Sequence, residues 1–140
     1  MKNFLILQFF ITLAAFSLIS AQNQISEVEV KNSLTKIFDL SKNQNFDALA
    51  SQILYNEKNE KRAYNKNDAN EAKSVKRMAK KIKAYLDLSD SYEYESLTNL
   101  KVDNLPAAEL KVNFRSGDQK LTITFDFVKL NGNLLLENFK

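Results

Sequence analysis

The chain has 140 residues, with 20 lysines and arginines against 17 aspartates and glutamates, and it contains neither histidine nor cysteine. That composition excludes imidazole acid–base catalysis, cysteine nucleophiles, disulfides and ordinary zinc sites. Glycine occurs only at 117 and 132, which excludes a glycine-rich phosphate loop. The net charge of +3 is too small to indicate a class of partner.

The first residues, MKNFLILQFFITLAAFSLISAQ, have the pattern of a secretory signal peptide: Lys2, an apolar run over residues 4–19, and small residues up to Ala21. A membrane span is the alternative, but polar residues dilute the run and no charged flank follows it. We therefore expect cleavage after Ala21 and a secreted or periplasmic product, soluble and without a lipid anchor. Residues 22–140 are predicted to form one domain.

Two helices are predicted next. Apolar residues at helical spacing predict a first helix over residues 24–41, and NFDALASQIL predicts a short second helix behind the N-cap Asn45. Residues 55–68 have no apolar period and are rich in asparagine and lysine. We expect this segment to be an exposed or mobile connection.

A third helix is predicted over residues 72–88, with apolar residues on one arc and six basic residues on the other: Lys73, Lys76, Arg77, Lys80, Lys81 and Lys83. The simplest interpretation is a solvated face. We expect no nucleic-acid partner, because the aromatic residues of the strands point toward the core. Binding of an anionic surface by Lys73, Lys76, Arg77 and Lys80 is less favoured, since the core needs the apolar arc of this helix.

From Tyr92 onward the apolar period becomes two, which predicts strands. A turn at Gly117-Asp118 pairs two alternating segments with all their apolar residues on one face, and a second turn at Asn131-Gly132 places Leu136 opposite Phe127. The predicted fold class is α+β, with N-terminal helices packed on a curved four-stranded antiparallel meander. A cystatin-like arrangement with a single helix on the sheet is the alternative.

The predicted registers place Glu109, Asp126 and Glu137 in one row on the outer face of the sheet. Directly opposed carboxylates repel, so a nearby cation, screening by Lys111 and Lys129, or a β-bulge must relieve them. We favour the screened face and expect no metal site.

An apolar patch is predicted beside this acidic row, and its members are Val128, Leu130, Leu135 and Phe139. A patch of this kind on a sheet face is either ordinary exposed surface or a contact surface. We expect it to form the centre of a homodimer interface.

Two local patterns, NQNFDALASQIL at 43–54 and FVKLNGNLLLENF at 127–139, resemble the nuclear transport factor 2-like superfamily, which includes SnoaL-like proteins. The resemblance covers residues 24–140 and implies a cone-shaped α+β fold. Leu134–Leu136 stands where the family often has tryptophan. Enzymes of the superfamily use Asp, His or Tyr inside the cone, whereas the inner strand positions assigned here are Leu, Val, Ile, Phe and Ala. The resemblance therefore implies a filled core or an apolar pocket.

The function that follows is an exported, non-catalytic binding or assembly domain without a cofactor; the sequence does not name its ligand, and a small apolar molecule is one candidate. Its ligand-rim candidates are the tyrosines least committed to the core: Tyr55, Tyr64, Tyr92 and Tyr94. The alternative is a small cofactor-free enzyme of the isomerase or dehydratase type. That alternative requires an Asp–Tyr pair in a pocket, and Asp39 with Tyr55 or Tyr85 is the candidate.

Overall fold

The computed structural model describes residues 24–57 and 59–140. The predicted signal peptide, residues 1–21, lies outside the described residues. The described elements, in chain order, are α1 (Glu27–Lys42), α2 (Phe46–Ala50), β1 (Leu54–Glu57), β2 (Glu60–Ala63), α3 (Ala69–Asp87), β3 (Ser91–Val102), β4 (Leu105–Ser116), β5 (Gln119–Leu130) and β6 (Asn133–Phe139). Over these residues, no helix combines the length and apolar character that a membrane span requires.

Side-chain caps set the starts of the helices. Ser26 Oγ accepts a hydrogen bond from the backbone N–H of Glu29 at the start of α1, and Asn45 Oδ1 caps α2 through Ala48. Asp68 Oδ1 accepts from the N–H groups of Asn70 and Glu71 at the start of α3. Each cap satisfies backbone donors that lack a helical partner.

The second helix is shorter than predicted. It ends at Ala50, because Ile53 forms an isolated parallel bridge with Leu136 of β6 and Leu54 begins β1. The apolar side chains of Ile53 and Leu54 fit helical spacing, but their backbones pair with strands instead.

Residues 55–68 are largely exposed, as predicted, but the segment is not an irregular connection. Most of that segment belongs to the β1–β2 hairpin, in which Leu54 pairs with Ala63 and Tyr55 with Arg62. Each strand has only four residues, too few for an alternating apolar pattern to stand out.

The four long strands form one antiparallel sheet in the order β3-β4-β5-β6. The predicted β4–β5 register is confirmed along its whole length, from Ser116 opposite Gln119 to Ala107 opposite Val128. The β5–β6 register is confirmed near the turn, with Phe127 opposite Leu136, but it shifts between Asp126 and Phe127. The extra residue on β6 is Glu137, which is the signature of a β-bulge.

The helices cover the inner face of the sheet. One core contains Leu34, Ile37 and Phe38 of α1 and Ile82 of α3. It also contains inward-facing residues of β4, β5 and β6, among them Phe125. The ring of Phe38 meets that of Phe125 edge-on at 5.6 Å between centroids, a favoured aromatic geometry. The α+β fold class is therefore confirmed. The single-helix alternative is wrong, because both α1 and α3 bury their apolar faces in this core.

Candidate functional site

An open cleft lies between the end of α3 and the β4–β5 hairpin. It has a volume of about 640 Å³ and is lined by Tyr85, Leu88, Ser89, Phe114, Ser116, Gln119, Lys120 and Leu121. That volume is within the range of small-molecule sites. Here β4 and β5 extend beyond the last turn of α3, so apolar side chains on the inner face of the sheet are left open to solvent.

The leucines of the cleft are unusually exposed for their type. Leu88 is 75% exposed and Leu121 is 50% exposed, whereas Phe114 at the floor is only 2% exposed. Leu88 terminates α3 by donating its N–H to the carbonyl of Ala84, so backbone capping, rather than packing, fixes its position. Exposed apolar side chains that line a concave surface with a few polar neighbours are typical of binding sites.

The polar residues of the cleft lie mainly on the hairpin. Ser116, Gln119 and Lys120 line it from β4 and β5, and Ser89 is engaged locally, donating its hydroxyl to the carbonyl of Tyr85 at 2.6 Å. Among the described residues that line the cleft, none is an aspartate or a glutamate. Lys120 is therefore the one fixed charge among the lining residues.

Sequence reasoning missed this cleft. Leu121 fits the inward alternation of β5, which predicts a core position, while Leu88 lies outside the apolar arc of α3. A leucine directly after a helix's apolar arc and another at a hairpin tip were the available signals. They become a site only because the fold places the two side by side.

Two of the predicted rim tyrosines lie in a different, polar pocket of about 220 Å³, lined by Tyr55, Glu57, Tyr64, Asp68, Asn70, Glu71 and Ser74. The rings of Tyr55 and Tyr64 meet edge-on at 5.4 Å. The guanidinium of Arg62 already lies over the Tyr55 ring, 4.1 Å from its centroid. One aromatic face in this pocket is thus occupied by the chain's own cation.

Arg62 also makes a two-pronged ion pair with Glu71, with N–O distances of 2.7 and 2.8 Å. Glu71 further accepts the backbone N–H of Asn65 at 2.6 Å. These bonds, led by that from Arg62, lower the pKa of Glu71 to about 2. Burial, followed by the nearby Glu57 and Glu71, raises the pKa of Tyr55. The carboxylate of Glu71 is therefore bound by the chain itself. Its bonds to Arg62 connect the β1–β2 hairpin to α3.

The other two tyrosines lie on β3, away from Tyr55 and Tyr64. Tyr92, 38% exposed, packs edge-on against Phe38 and lies 5.9 Å from Phe114, the floor of the cleft. Tyr94 shares a 3.0 Å hydrogen bond with Thr35 of α1. The four rim candidates therefore do not form one rim, and Tyr92 is the one next to the cleft.

The structure does not bring together the Asp–Tyr pairs proposed for an enzyme. Asp39 is exposed on α1 and, over the described part of the chain, makes no side-chain hydrogen bond to Tyr55 or Tyr85. Tyr85 lies in the apolar cleft and Tyr55 in the polar pocket. An acid–base pair built on these residues is absent from the described geometry.

The row of three opposed carboxylates on the outer face is only half correct. Glu109 does lie opposite Asp126, but the β-bulge moves Glu137 aside, so Asn138 faces Asp126 instead. Lys140 binds Asp126 at 3.2 Å, and Asn56 of β1 donates to Glu137 at 3.1 Å. Lys129, predicted to screen the row, pairs with Glu29 of α1. Glu109 and Asp126 stay directly opposed, and no group of three acidic residues among those described is placed to hold a metal ion.

The apolar patch on the outer face is covered by the β1–β2 hairpin. Val128 and Leu135 are only 1% and 4% exposed, because Leu54 and Ala63 pack over them. Leu130 is partly buried in the same cluster.

The assignment of Phe139 to the outer face is wrong. Beyond the bulge, the face of each β6 residue reverses, so Phe139 pairs with Phe125 and lies in the inner core. The two rings stack at 5.7 Å between centroids. The homodimer itself stays a prediction.

The basic side of α3 faces away from its buried residues Val75, Ala79 and Ile82. Lys83 pairs with Asp87, while the ammonium groups of Lys76 and Lys81 lie over the rings of Phe46 and Phe139, at 5.6 and 5.1 Å from their centroids. The amphipathic prediction for this helix is confirmed. Its start at Ala69 lies three residues earlier than predicted, where Asp68 caps it.

The fold and the cleft together define an α+β domain with helices on one face of an antiparallel meander and an open apolar cleft at one end. No protein-family model matches the chain, and the comparison with curated proteins yields no match. Among solved structures, the chain is similar to a protein titled Rd1NTF2_05, a title that also carries five substitutions. The TM-score is 0.46 at 15% identity, covering 82% of this chain and 98% of that chain. A similarity at this level carries no argument about function.

Proposed function

We propose that this protein is an exported, non-catalytic binding domain that takes a small apolar ligand in the cleft between α3 and the β4–β5 hairpin. The observation that carries the proposal is the pair of exposed leucines, Leu88 and Leu121, lining a concave surface of about 640 Å³. Exposed apolar area of this kind costs free energy in water, at about 25 cal/mol per Å². Covering it with a ligand recovers that free energy.

The composition of the cleft favours binding over acid–base catalysis. Among its lining residues only Tyr85 and Lys120 can titrate, and neither has a carboxylate partner within the lining. A proton-transfer reaction needs a positioned acid or base near neutral pH. A ligand with an apolar body against Leu88, Phe114 and Leu121, and a polar or anionic group at Lys120, fits these side chains.

The test is a fluorescence titration with 8-anilinonaphthalene-1-sulfonate, which has an apolar ring system and one negative charge. The double variant Leu88→Gln/Leu121→Gln should weaken binding about tenfold or more, because two apolar contacts are replaced by amides that prefer water. Val28→Gln is the matched control: Val28 is 68% exposed on α1 and lies outside the cleft. Equal loss in the control, or unchanged binding in the double variant, would contradict the proposal.

A homodimer through the outer face is a separate proposal. The apolar residues of that face that stay partly exposed are Leu100, Val102, Leu105 and Leu130, beside the covering hairpin. Because Leu135 is buried, Leu135→Asp would disturb folding, so Leu130→Asp is the cleaner variant. Sedimentation should show a dimer for the wild type and a monomer for Leu130→Asp; a monomeric wild type at high micromolar concentration ends the idea.

A further inference from the structure

The strongest charged feature outside the cleft lies on the exposed side of α3. Four cations, Lys73, Lys76, Arg77 and Lys80, follow the i, i+3, i+4, i+7 spacing and all are exposed. At about 100° and 1.5 Å per residue, they lie within one arc and span about 10 Å of the helix. We call these four residues the basic ridge.

The ridge has no internal counter-charge. Over the described residues, no carboxylate lies within 4 Å of any of its four cations. The two acidic residues of α3 are engaged elsewhere, Glu71 by Arg62 and Asp87 by Lys83. The ridge therefore presents its positive charge to the solvent without a paired carboxylate among the described residues.

A helix face that served only solubility would not need this arrangement. Cations at i, i+3 and i, i+4 repel one another, whereas alternating glutamate and lysine at the same spacing would attract. The ridge contains four such like-charge pairs: 73 with 76, 73 with 77, 76 with 80, and 77 with 80. A polyanion lying along the helix would replace that repulsion by attraction and release its own counter-ions.

Two observations indicate the class of polyanion. The apolar side of α3 is committed to the core through Val75, Ala79 and Ile82, so the helix cannot insert into a lipid surface. The aromatic rings next to the basic side, Phe46 and Phe139, lie under Lys76 and Lys81 and pack with the core. They offer no free face for stacking a base.

We propose that the basic ridge binds a flexible acidic polysaccharide, through its carboxylate or sulfate groups. A linear row of lysines supplies point charges that follow a chain of regularly spaced anions. Three of its four cations are lysines, whose compact charges on flexible stems can follow anionic groups of varying orientation. This site is independent of the apolar cleft and does not rest on the ligand proposed there.

The experiment measures binding of heparin, as the probe polysaccharide, to the full chain by calorimetry at several salt concentrations. The wild type should bind, with a slope of log K against log salt of about −3 for four neutralised charges. Lys73→Gln/Lys76→Gln/Lys80→Gln should lose about tenfold or more in affinity at 0.15 M salt. Glutamine keeps a good helix propensity, so the helix should persist in circular dichroism.

The matched control is Lys36→Gln/Lys101→Gln/Lys111→Gln, which removes the same three charges from exposed positions elsewhere. It should retain most of the affinity. No binding by the wild type at low salt, or equal losses in the two triple variants, overturns the ridge as a site. Tighter binding of a single-stranded oligonucleotide of equal charge overturns the polysaccharide as its occupant.

Discussion

The outer face of the sheet and the cleft at the tip of the β4–β5 hairpin both carry apolar side chains, but the chain treats them differently. Over Val128 and Leu135 it folds the β1–β2 hairpin, leaving them 1% and 4% exposed. No element among the described residues covers Leu88 and Leu121, which are 75% and 50% exposed. Apolar surface that its own chain covers stabilises the fold, whereas apolar surface left open is available to a ligand.

The covered region also has polar ties between distant elements. The hairpin over the outer face is held by Lys61 to Asp103, Asn56 to Glu137, and Arg62 to Glu71. In the cleft, the contacts of Leu88 and Ser89 are local to the end of α3. Substitutions in the two regions should therefore differ in kind: loss of stability in one and loss of binding in the other.

The largest expected effect is that of Phe139→Ala. Phe139 is 7% exposed and stacks on Phe125, so removing the ring leaves a cavity in the inner core and should cost about 4 kcal/mol of unfolding free energy. Urea denaturation followed by circular dichroism measures the change. A loss below about 1 kcal/mol would mean that Phe139 lies on the outer face and that the β-bulge at Glu137 is absent.

Leu135→Ala should cost somewhat less, about 3 kcal/mol, because Leu135 packs under the β1–β2 hairpin rather than in the main core. The same urea titration measures it. Leu130→Ala is the control from the same apolar cluster, and its partly exposed side chain should give a smaller loss. Equal small losses for both would show that the hairpin does not cover the patch.

Glu71→Gln tests the polar tie between the hairpin and α3. The pKa of Glu71 is depressed to about 2, so its ion pair with Arg62 contributes stability above about pH 4.5, and the contribution is lost as pH falls toward 2. The thermal midpoint of the variant should lie below that of the wild type at pH 7, and the difference should shrink progressively below pH 4.5.

Glu93→Gln is the control for that pH dependence. Its carboxylate, whose pKa Arg115 also lowers, belongs to an ion pair whose side chains are both about half exposed, so solvent screens it. Its removal should move the thermal midpoint little. A gap between wild type and Glu71→Gln that stays constant from pH 7 to pH 3 would assign the effect to packing instead of charge.

The smallest expected effect on stability is that of Leu88→Gln/Leu121→Gln. Both side chains are mostly or half exposed, so the free energy of unfolding should change by about 0.5 kcal/mol or less per site. The same urea titration measures it. A large loss of stability would place these leucines in the core and remove the distinction between the covered and the open region.

Much of the architecture was predictable from local chemistry. The caps Ser26, Asn45 and Asp68, the 3.6-residue apolar spacing of α1 and α3, and the turns at Gly117-Asp118 and Asn131-Gly132 each act within a few residues. The β4–β5 register follows from its turn because the alternating apolar residues of both strands agree with it. Local signals of this kind predict the element order and the inner face of the sheet.

The candidate site was less predictable, because it depends on where elements end relative to one another. Tyr55 and Tyr64 were grouped with Tyr92 and Tyr94 as one rim, yet the fold places the first pair beside α3 and the second on β3. Leu88 and Leu121 are 33 positions apart in the chain, and neither has a local pattern that points to the other. Only the packing of α3 on the sheet brings them to one cleft.

The sequence by itself determined the elements with strong periodicity, the β4–β5 register and the amphipathic division of α3, because short-range sterics, capping and burial pattern act there without help from distant residues. The tertiary structure decided the rest. The bulge at Glu137 reverses the faces of the last β6 residues, so that Phe139 pairs with Phe125 and is buried in the inner core. The β1–β2 hairpin covers Leu135, whereas the cleft at Leu121 stays open beyond the end of α3. Both outcomes depend on which distant element packs against that part of the sheet.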